Sequence, residues 1–568
     1  MKKILSNILL ASAAAALVLT SCAKGALDTE PTSQVAESNI FSSTDNALMA
    51  INGIHRLMHE GGSSGTTTGY YGQGGYTTFC LHLAWMSDDV VWTYENVMYK
   101  FSAQWTHHWN LTHNYNDLNY YWKFFYRVIN NANKVLYYID DKEKCPGDDS
   151  SRNFVKGQAL AYRAFALFQL TQTWGERYYP EKAGHNDQLG VVIRTEPSME
   201  SNVARSTVEQ CYDQIVKDIN AAIECLQNTS ETKKNKSHID VWVAKGMKAR
   251  ILLTMGKWAE AAAVAEDVVK NSGAALQADT YTCGPFNNQM SDMSNTEWLW
   301  GQAHSDDATQ HGGLRAWHNF ISNNSASYNR NSPRAINSLL YKTIPDTDVR
   351  KNNWVENPFT RKKGNVKDNG VNDGITLWVP TGSARICPYM SQKWLIDDAG
   401  VQNTYFDVPY MRLPEMMMIA AEGYAKSNQP AKAQQLVYDL GHFRDPAFTM
   451  PTETGDALVE KIMWQRRVEL WAEAGLRWLD LKRLNVACDR GPKPREGYNQ
   501  GGTANGWGTS MKKMPTNLDP LASNYNMYGE QFPGEAARYI PANSLKWQWL
   551  IPYNEMDSNE LMVQNPTE

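Results

Sequence analysis

Along most of the chain the apolar residues recur every three or four positions, the spacing of a helix with one buried face. Tyr121, Trp122, Phe125, Ile129, Ala132 and Leu136 predict a helix from Asp117 onward. Val155, Ala159, Tyr162, Ala166 and Phe168 predict its partner, started near Ser150. A short polar turn between two such helices makes an antiparallel pair. The design recurs in TVEQCYDQIVKDINAAIECL after Ser206, in WVAKGMKARILLTMG and AEAAAVAEDVVKNSG, and in PEMMMIAAEGYAKSNQPAKAQQLVYDLGHFR. An earlier helix shows Ala47, Ile51, Ile54 and Met58 on one face, capped within Ser43-Thr44-Asp45. Ala244, Gly246, Ala249, Ala420, Ala421 and Gly423 are small enough for helices to approach closely. The pattern predicts a mostly α fold: tetratricopeptide-like helical pairs, degenerate in repeat, stacked into a curved scaffold.

The helical period breaks down in several places. Asp279 to Gln402 is rich in Gly, Asn, Ser, Trp and Tyr, with short β-like runs such as EWLWGQ and ITLWVP. Gly61 to Gly75 and Gly491 to Gly508 are glycine-rich loops, and LIPYNEMDSNELMVQNP reads as a strand-like piece with a loop. Long irregular segments on a helical scaffold are where binding residues concentrate.

One stretch carries both apolar and charged periodicity, DALVEKIMWQRRVELWAEAGLRWLDLKRLN from Asp456 to Asn485. Trp464, Val468, Trp471 and Trp478 recur at helical spacing, and Asp456 is placed to cap the start. Arg466, Arg467, Glu469, Glu473, Arg477 and Asp480 lie opposite, predicting an ion-pair ladder. Charges among tryptophans are partly desolvated and must be paired. The bland reading, a structural clamp, is favoured over a catalytic site, and Gly475 is expected to bend or end the first segment.

RRVELWAEAGLRWLDLKRLN resembles the C-terminal signature of the SusD/RagB-like family, with Ala474 inserted between Glu473 and Gly475. YRVINNANKV, ending at Val135, resembles the family's early Y-x-x-I-x-x-A-N helix. RAFALFQLTQTWG resembles its R-A helix, and Gln564-Asn565-Pro566 its usual ending. The resemblance implies a surface-exposed, lipid-anchored nutrient-binding protein of Bacteroidota that performs no chemistry. It also implies a TonB-dependent, SusC-like outer-membrane transporter as partner, on which such proteins sit like a lid.

The N-terminus agrees with that expectation. Lys2 and Lys3 precede an apolar run from Ile4 to Leu19, too short and interrupted to span a bilayer. Leu19-Thr20-Ser21-Cys22 resembles a lipobox, so residues 1–21 read as a signal peptide with Cys22 acylated. Residues 22–40 then form a lipidated tether and 41–568 the binding domain, with the irregular insertion at about 279–402. Seven of the eight cysteines follow Cys22, scattered and without metal-finger spacing, and read mainly as buried free thiols. A net charge of −5 with no basic stripe argues against a nucleic-acid partner.

Candidate chemistry is sparse. Asp88 and Asp89 are adjacent, and neighbouring side chains point apart, whereas a glycosidase needs two carboxyls across a sugar. They read as a cap or hydrogen-bond anchor. His82, His107, His108 and His113 lack zinc spacing, and His304, His311 and His318 are divided by Gly312-Gly313. No cofactor is called for. Asp346, Asp348 and Asp373 offer oxygen ligands for a structural calcium that nothing in the spacing fixes.

What remains is aromatic. Trp92, Tyr94, Asn96, Trp105 and Trp109 fall in one irregular stretch, and Trp317, His318, Asn319 and Tyr328 in another. Flat aromatic faces pack on sugar rings while amides bond the hydroxyls. The reading is a protein that captures an oligosaccharide and hands it to the transporter. The alternatives are a peptide ligand, a surface glycoside hydrolase, or an adaptor that binds only proteins.

Overall fold

The structure is a computed structural model. It describes residues 40–59, 73–92, 116–197, 200–278, 290, 292–303, 334–356, 364–367, 376–379, 389–394, 407–490 and 539–567. Helices dominate. Ser43 opens α1 (Thr44–Leu57) by accepting the Asn46 N–H at 3.1 Å. After α2 (Gly75–Met86) and α3 (Asn116–Ile139), Asp148 caps α4 (Asp149–Trp174), two residues before the expected start, through the Ser151 N–H at 2.9 Å. Thr207 and Gln210 form a reciprocal capping box on α5 (Val208–Gln227), and Asp240 caps α6 (Val241–Thr254). Each of these side chains satisfies an amide that the helix leaves without a partner. The series continues with α7 (Trp258–Asn271), α8 (Leu413–Lys426), α9 (Pro430–Arg444), α10 (Gly455–Glu469) and α11 (Leu476–Leu484).

Consecutive helices from α3 to α9 pack as neighbours, including α7 on α8 across about 140 residues of intervening chain. Their approach is close. A Cβ on Gly423 of α8 would meet Ala262 Cβ of α7 at 2.9 Å, so no larger residue fits that crossing. α10 lies against α8 and α9, and α11 lies on α2. The core is aromatic where α2, α3, α4 and the C-terminal segment meet. Phe79 touches Tyr121, Phe125 and Trp549, and Trp549 in turn packs edge-on against Trp174.

The irregular regions supply short strands. β1 (Val90–Trp92), β3 (Arg334–Ile336), β7 (Met390–Ser391) and β4 (Trp354–Val355) form a sheet in that order, each neighbour antiparallel. EWLWGQ becomes β2 (Trp298–Gln302), paired with β8 (Val408–Arg412). ITLWVP contributes β6 (Thr376–Val379), paired with β5 (Gly364–Lys367). β9 (Cys488–Asp489) pairs with β10 (Tyr539–Ile540).

Two local expectations fail. Asp456 does not cap α10: the helix begins at Gly455, so Asp456 already sits in its first turn and acts on the helix dipole instead. The C-terminal run is not a strand but a short helix, Tyr553–Ser558, followed by an extended tail. Amides hold that tail where a ladder would. Gln564 exchanges two hydrogen bonds with the Ile551 backbone, and Asn565 donates to the carbonyls of Trp174 and Trp549 at 2.7 Å each. Of the cysteines, Cys80, Cys145, Cys211 and Cys488 are buried free thiols and Cys225 is a partly buried one; Cys283 and Cys387 lie outside the described residues.

Gly475 joins α10 to α11 in the left-handed region, φ 65°, and an added Cβ would meet Leu83 of α2 at 2.6 Å. Gly475→Ala is therefore expected to destabilise the protein. The backbone term alone is roughly 1–2 kcal/mol, with the clash in addition. A thermal melt coincident with wild type would show that α2 and α11 do not pack this way.

Candidate functional site: one end of the small sheet and its ionic foundation

The turn between α10 and α11 explains how the charged residues of this stretch are used. Ala472, Ala474 and Gly475 all have positive φ, at 57°, 47° and 65°. Helical spacing therefore stops at Glu469, and Glu473 leaves the helix face that would have made a ladder. Arg466 reaches across the turn to Asp480 at 2.9 Å, and Arg483 joins Asp480 to Glu422 of α8. Arg467 and Arg477 point elsewhere, to Asp89 at 2.6 Å and Asp88 at 2.7 Å.

Glu469 and Glu473 face four cations from distant segments. Glu469 meets Arg350, Arg412 and Arg444 at 3.0–3.3 Å. Glu473 meets Lys393 and Arg412 at 2.6 Å. Glu297, just before β2, binds Arg412 and Arg444, while Asp348 binds Arg350. Four carboxylates thus balance four cations, and no member has a side chain more than 5% exposed. Burial by itself would raise the pKa of Glu469 and Glu473. For Glu469 the guanidiniums of Arg444, Arg412 and Arg350 outweigh it and hold the carboxyl well below the usual range, and for Glu473 Arg412 and Lys393 outweigh it and lower the carboxyl too. Asp480 is lowered likewise, its burial outweighed by Arg466 and Arg483.

These cations come from separate segments of the chain. Arg350 precedes β4, Lys393 follows β7, Arg412 ends β8 and Arg444 ends α9. β1 is held through Asp88 and Asp89, the two residues before it. Their carboxylates share Arg467 and Arg477, with the longer cross-contacts at 3.6 and 3.7 Å, so the adjacent pair does not diverge as expected. Burial would raise Asp88, but Arg477 and Arg467 hold it at about 2. Their carbonyls are bound too: Asn337, just after β3, donates to Asp88 O and Asp89 O, and Trp471 Nε1 donates to Asp89 O, each at 2.9 Å. The bottom of the sheet is thereby fastened to α10 and α11.

Trp92 stands at the other end of β1. Strand register places Trp92 opposite Arg334, with Ser391 and Trp354 at the same end. Residues 93–115 leave the framework from Trp92 there, and residues 304–333 return to it at Arg334. Tyr94, Asn96, Trp105 and Trp109 belong to the first segment, and Trp317, His318, Asn319 and Tyr328 to the second. Those eight residues lie outside the described residues, as do Cys22, His107, His108, His113, His304, His311 and Asp373. Of the candidate ligand residues, Trp92 has a described backbone.

His82 is core. It is fully buried in α2 against Trp85 and Tyr121, and burial pushes its pKa down to about 3. Asp346 and Asp348, offered as calcium ligands, are engaged by Lys351 and Arg350 at 2.7 and 2.6 Å. Among the described residues no group of three or more His, Cys, Asp or Glu converges as a metal site, and no helix is long and apolar enough to cross a membrane. Sequence reasoning missed Arg350, Lys393, Arg412, Arg444 and Glu297. A faint signal existed: a lone cation inside an apolar run, as in PYMRLPEMMM, predicts a buried partner.

Residues 79–253 match a family described as starch-binding and associating with the outer membrane, and residues 271–567 match the SusD family. The second match alone spans more than half of the chain. The chain belongs to the SusD family. A SusD-like protein of Bacteroides ovatus is 22% identical over 397 residues, covering 63% of this chain and 64% of that relative. Solved structures agree in fold. A SusD-like carbohydrate-binding protein from Bacteroides vulgatus superposes with a TM-score of 0.69, at 21% identity, covering 93% of this chain and 99% of that one. A SusD superfamily protein from Bacteroides thetaiotaomicron gives 0.66 at 23% identity, over 92% and 100%. A laminarin-binding SusD-like protein gives 0.62 at 17% identity, over 93% and 100%. The SusD fold is the mostly helical scaffold described above, and the SusD/RagB signature is the stretch that fastens its small sheet.

Because Glu473 is buried between Lys393 and Arg412, Glu473→Ala leaves two buried cations short of a partner. A loss of ~3 to 5 kcal/mol is expected, read as a lower melting temperature without a selective loss of ligand binding. A mutant of normal stability that fails to bind would contradict the structural role.

Acid should act on the same network. Glu469, Glu473 and Asp480 have folded pKa values below their unfolded ones, so their contribution is complete above the unfolded values and lost as pH falls through the folded ones. Melting temperature should therefore fall between about pH 4.5 and about pH 2. An unchanged melting temperature over that interval would refute it.

Proposed function

We propose that this SusD-family chain is a surface-exposed lipoprotein that captures an oligosaccharide and delivers it to a TonB-dependent, SusC-like transporter. The observation that carries the reading is the β1–β3 ladder. It makes two segments, both rich in aromatics and amides and about 190 residues apart, depart from the same end of one sheet. A sugar site needs that mixture of apolar faces and directional amide bonds, supplied from more than one side. Ion pairs from Lys393, two residues past Ser391 at this end, and from Asp88 and Asp89 at the other end tie the sheet to α10, α11 and the turn between them, so it offers a fixed base while the two segments carry specificity. Family membership supports a carbohydrate rather than a peptide ligand.

Recognition, not bond cleavage, is the function proposed. Asp88 and Asp89 are engaged by Arg467 and Arg477, which suits a scaffold role and not that of a general acid. Anchoring rests on Cys22, with residues 1–21 as the signal peptide and 22–40 as the tether. More than one acyl chain on that cysteine gives stable attachment.

Trp92→Ala and Trp317→Ala are each expected to weaken oligosaccharide binding by ~2 kcal/mol, about thirtyfold, with a normal melt and no sugar cleaved. Calorimetry with a glycan selected from an array decides it, and unchanged affinity in both variants would reject this end of the sheet as the site. Cys22→Ser should move the protein into the soluble fraction. Retention of the variant in washed outer membranes would reject the anchor.

A further inference from the structure

A second cavity lies apart from the sheet, between the loop after α4, the end of α11 and the C-terminal segment. It encloses about 240 Å³ and is lined by Glu176, Arg177, Lys482, Asn543 and Trp547 among others, with no residue of the β1–β3–β7–β4 sheet. One water needs only ~10–15 Å³ on such a measure, so the space suits a small organic molecule.

Its charges are unusual. Lys482 is 5% exposed, and its ammonium donates to two backbone carbonyls, Gln172 O at 2.7 Å and Gly175 O at 2.8 Å. Among the described residues it forms no ion pair within 4 Å, whereas Lys393, the other deeply buried lysine among them, has Glu473 at 2.6 Å. Arg177 lies with its guanidinium 4.0 Å over the Tyr179 ring, and its Nε is buried without a hydrogen-bond partner. The nearest carboxylate to Arg177 is Glu181, at 3.9 Å and largely exposed. Glu176, the one acidic residue lining the cavity among the described residues, accepts the Tyr179 hydroxyl. With Lys482 protonated, two cations face one acid and the lining is net positive, with amides and the Trp547 ring on the remaining walls.

We propose that this cavity is a second binding site, for a small carboxylate of about the size of an acidic monosaccharide. The carboxylate sits between Arg177 and Lys482, and the ring lies among Asn543, Trp547 and the neighbouring amides. This inference does not rest on the sheet-end site and stands or falls separately.

The state of Lys482 gives the site a signature. Burial pushes its pKa down to about 7, against the opposing pull of Glu176. A bound carboxylate favours the charged ammonium, so binding above that pH takes up a proton and weakens as pH rises.

The experiment is calorimetry of the intact protein with glucuronate, glucose and acetate at about pH 8, in two buffers of different ionisation enthalpy. Glucuronate should bind with proton uptake, and glucose at least tenfold more weakly. Acetate binding comparably would assign recognition to the carboxylate alone; acetate binding only weakly would assign it to a sugar acid. Arg177→Gln should weaken glucuronate at least tenfold while the fold melts normally, and Lys482→Met should abolish the proton uptake. Lys482→Met also removes bonds to the end of α4, so if it fails to fold, Arg177→Gln decides alone. No glucuronate binding, equal binding of glucose, or unchanged affinity in Arg177→Gln each overturn the proposal.

Discussion

The buried carboxylate of Glu469 is the constraint on which most of this structure depends. Three guanidiniums surround it, from the segment before β4, from the end of β8 and from the end of α9. None of these segments is near the others in sequence, and none could be withdrawn without leaving charge unpaired in the interior. A buried pair is not by itself a source of stability, because both ions must be dehydrated. Its effect is on the alternatives: a misplaced segment strands an ion, and that costs several kcal/mol. The network therefore works as an address for irregular chain, which has no apolar periodicity to set its register.

That role explains why the family signature sits where it does. α10 and α11 carry few residues of the outer surface and much of the foundation. Arg467 and Arg477 hold Asp88 and Asp89, Trp471 and Asn337 hold the carbonyls of the same two residues, and β1 starts directly afterwards. The strand then delivers Trp92 to the far end of the sheet, opposite Arg334.

How much of this was legible in the sequence varies with the physics. The helices were, because period and caps are local: Ser43 is the cap expected, and the pairs from α3 to α9 follow the apolar spacing. EWLWGQ and ITLWVP were recognisable as strands for the same reason. The partners of Glu469 and Glu473 were not, since a charge advertises that it needs a partner but not which residue supplies it. The ladder expected along one helix failed because three residues adopt positive φ between Ala472 and Gly475, two of them alanines, which no propensity scale would place there. Asp88 and Asp89 were read as a cap or hydrogen-bond anchor because adjacent side chains diverge, and that ground fails. They share two arginines rather than diverging. The aromatics and amides of residues 93–115 and 304–333 were visible as composition, while the pairing of Trp92 with Arg334, which border those segments, was not.

The contrast between the two lysines of the interior carries the argument one step further. Lys393 and Lys482 are equally hidden, but Lys393 is matched by Glu473, and Lys482 is served only by carbonyls at the end of α4. A buried ammonium without a carboxylate is tolerated when it sits at a helix C-terminus, where the dipole and the last carbonyls favour a cation. That arrangement stabilises the charge without neutralising it. Around Glu469 every ion is matched, and the interior there is closed to any further charged group. Beside Lys482 the protonated ammonium has no matching carboxylate within 4 Å among the described residues, and the space is open. The framework is therefore electrostatically complete under the sheet and incomplete at the end of α11, and an incomplete charge next to a cavity is a condition that a ligand can satisfy.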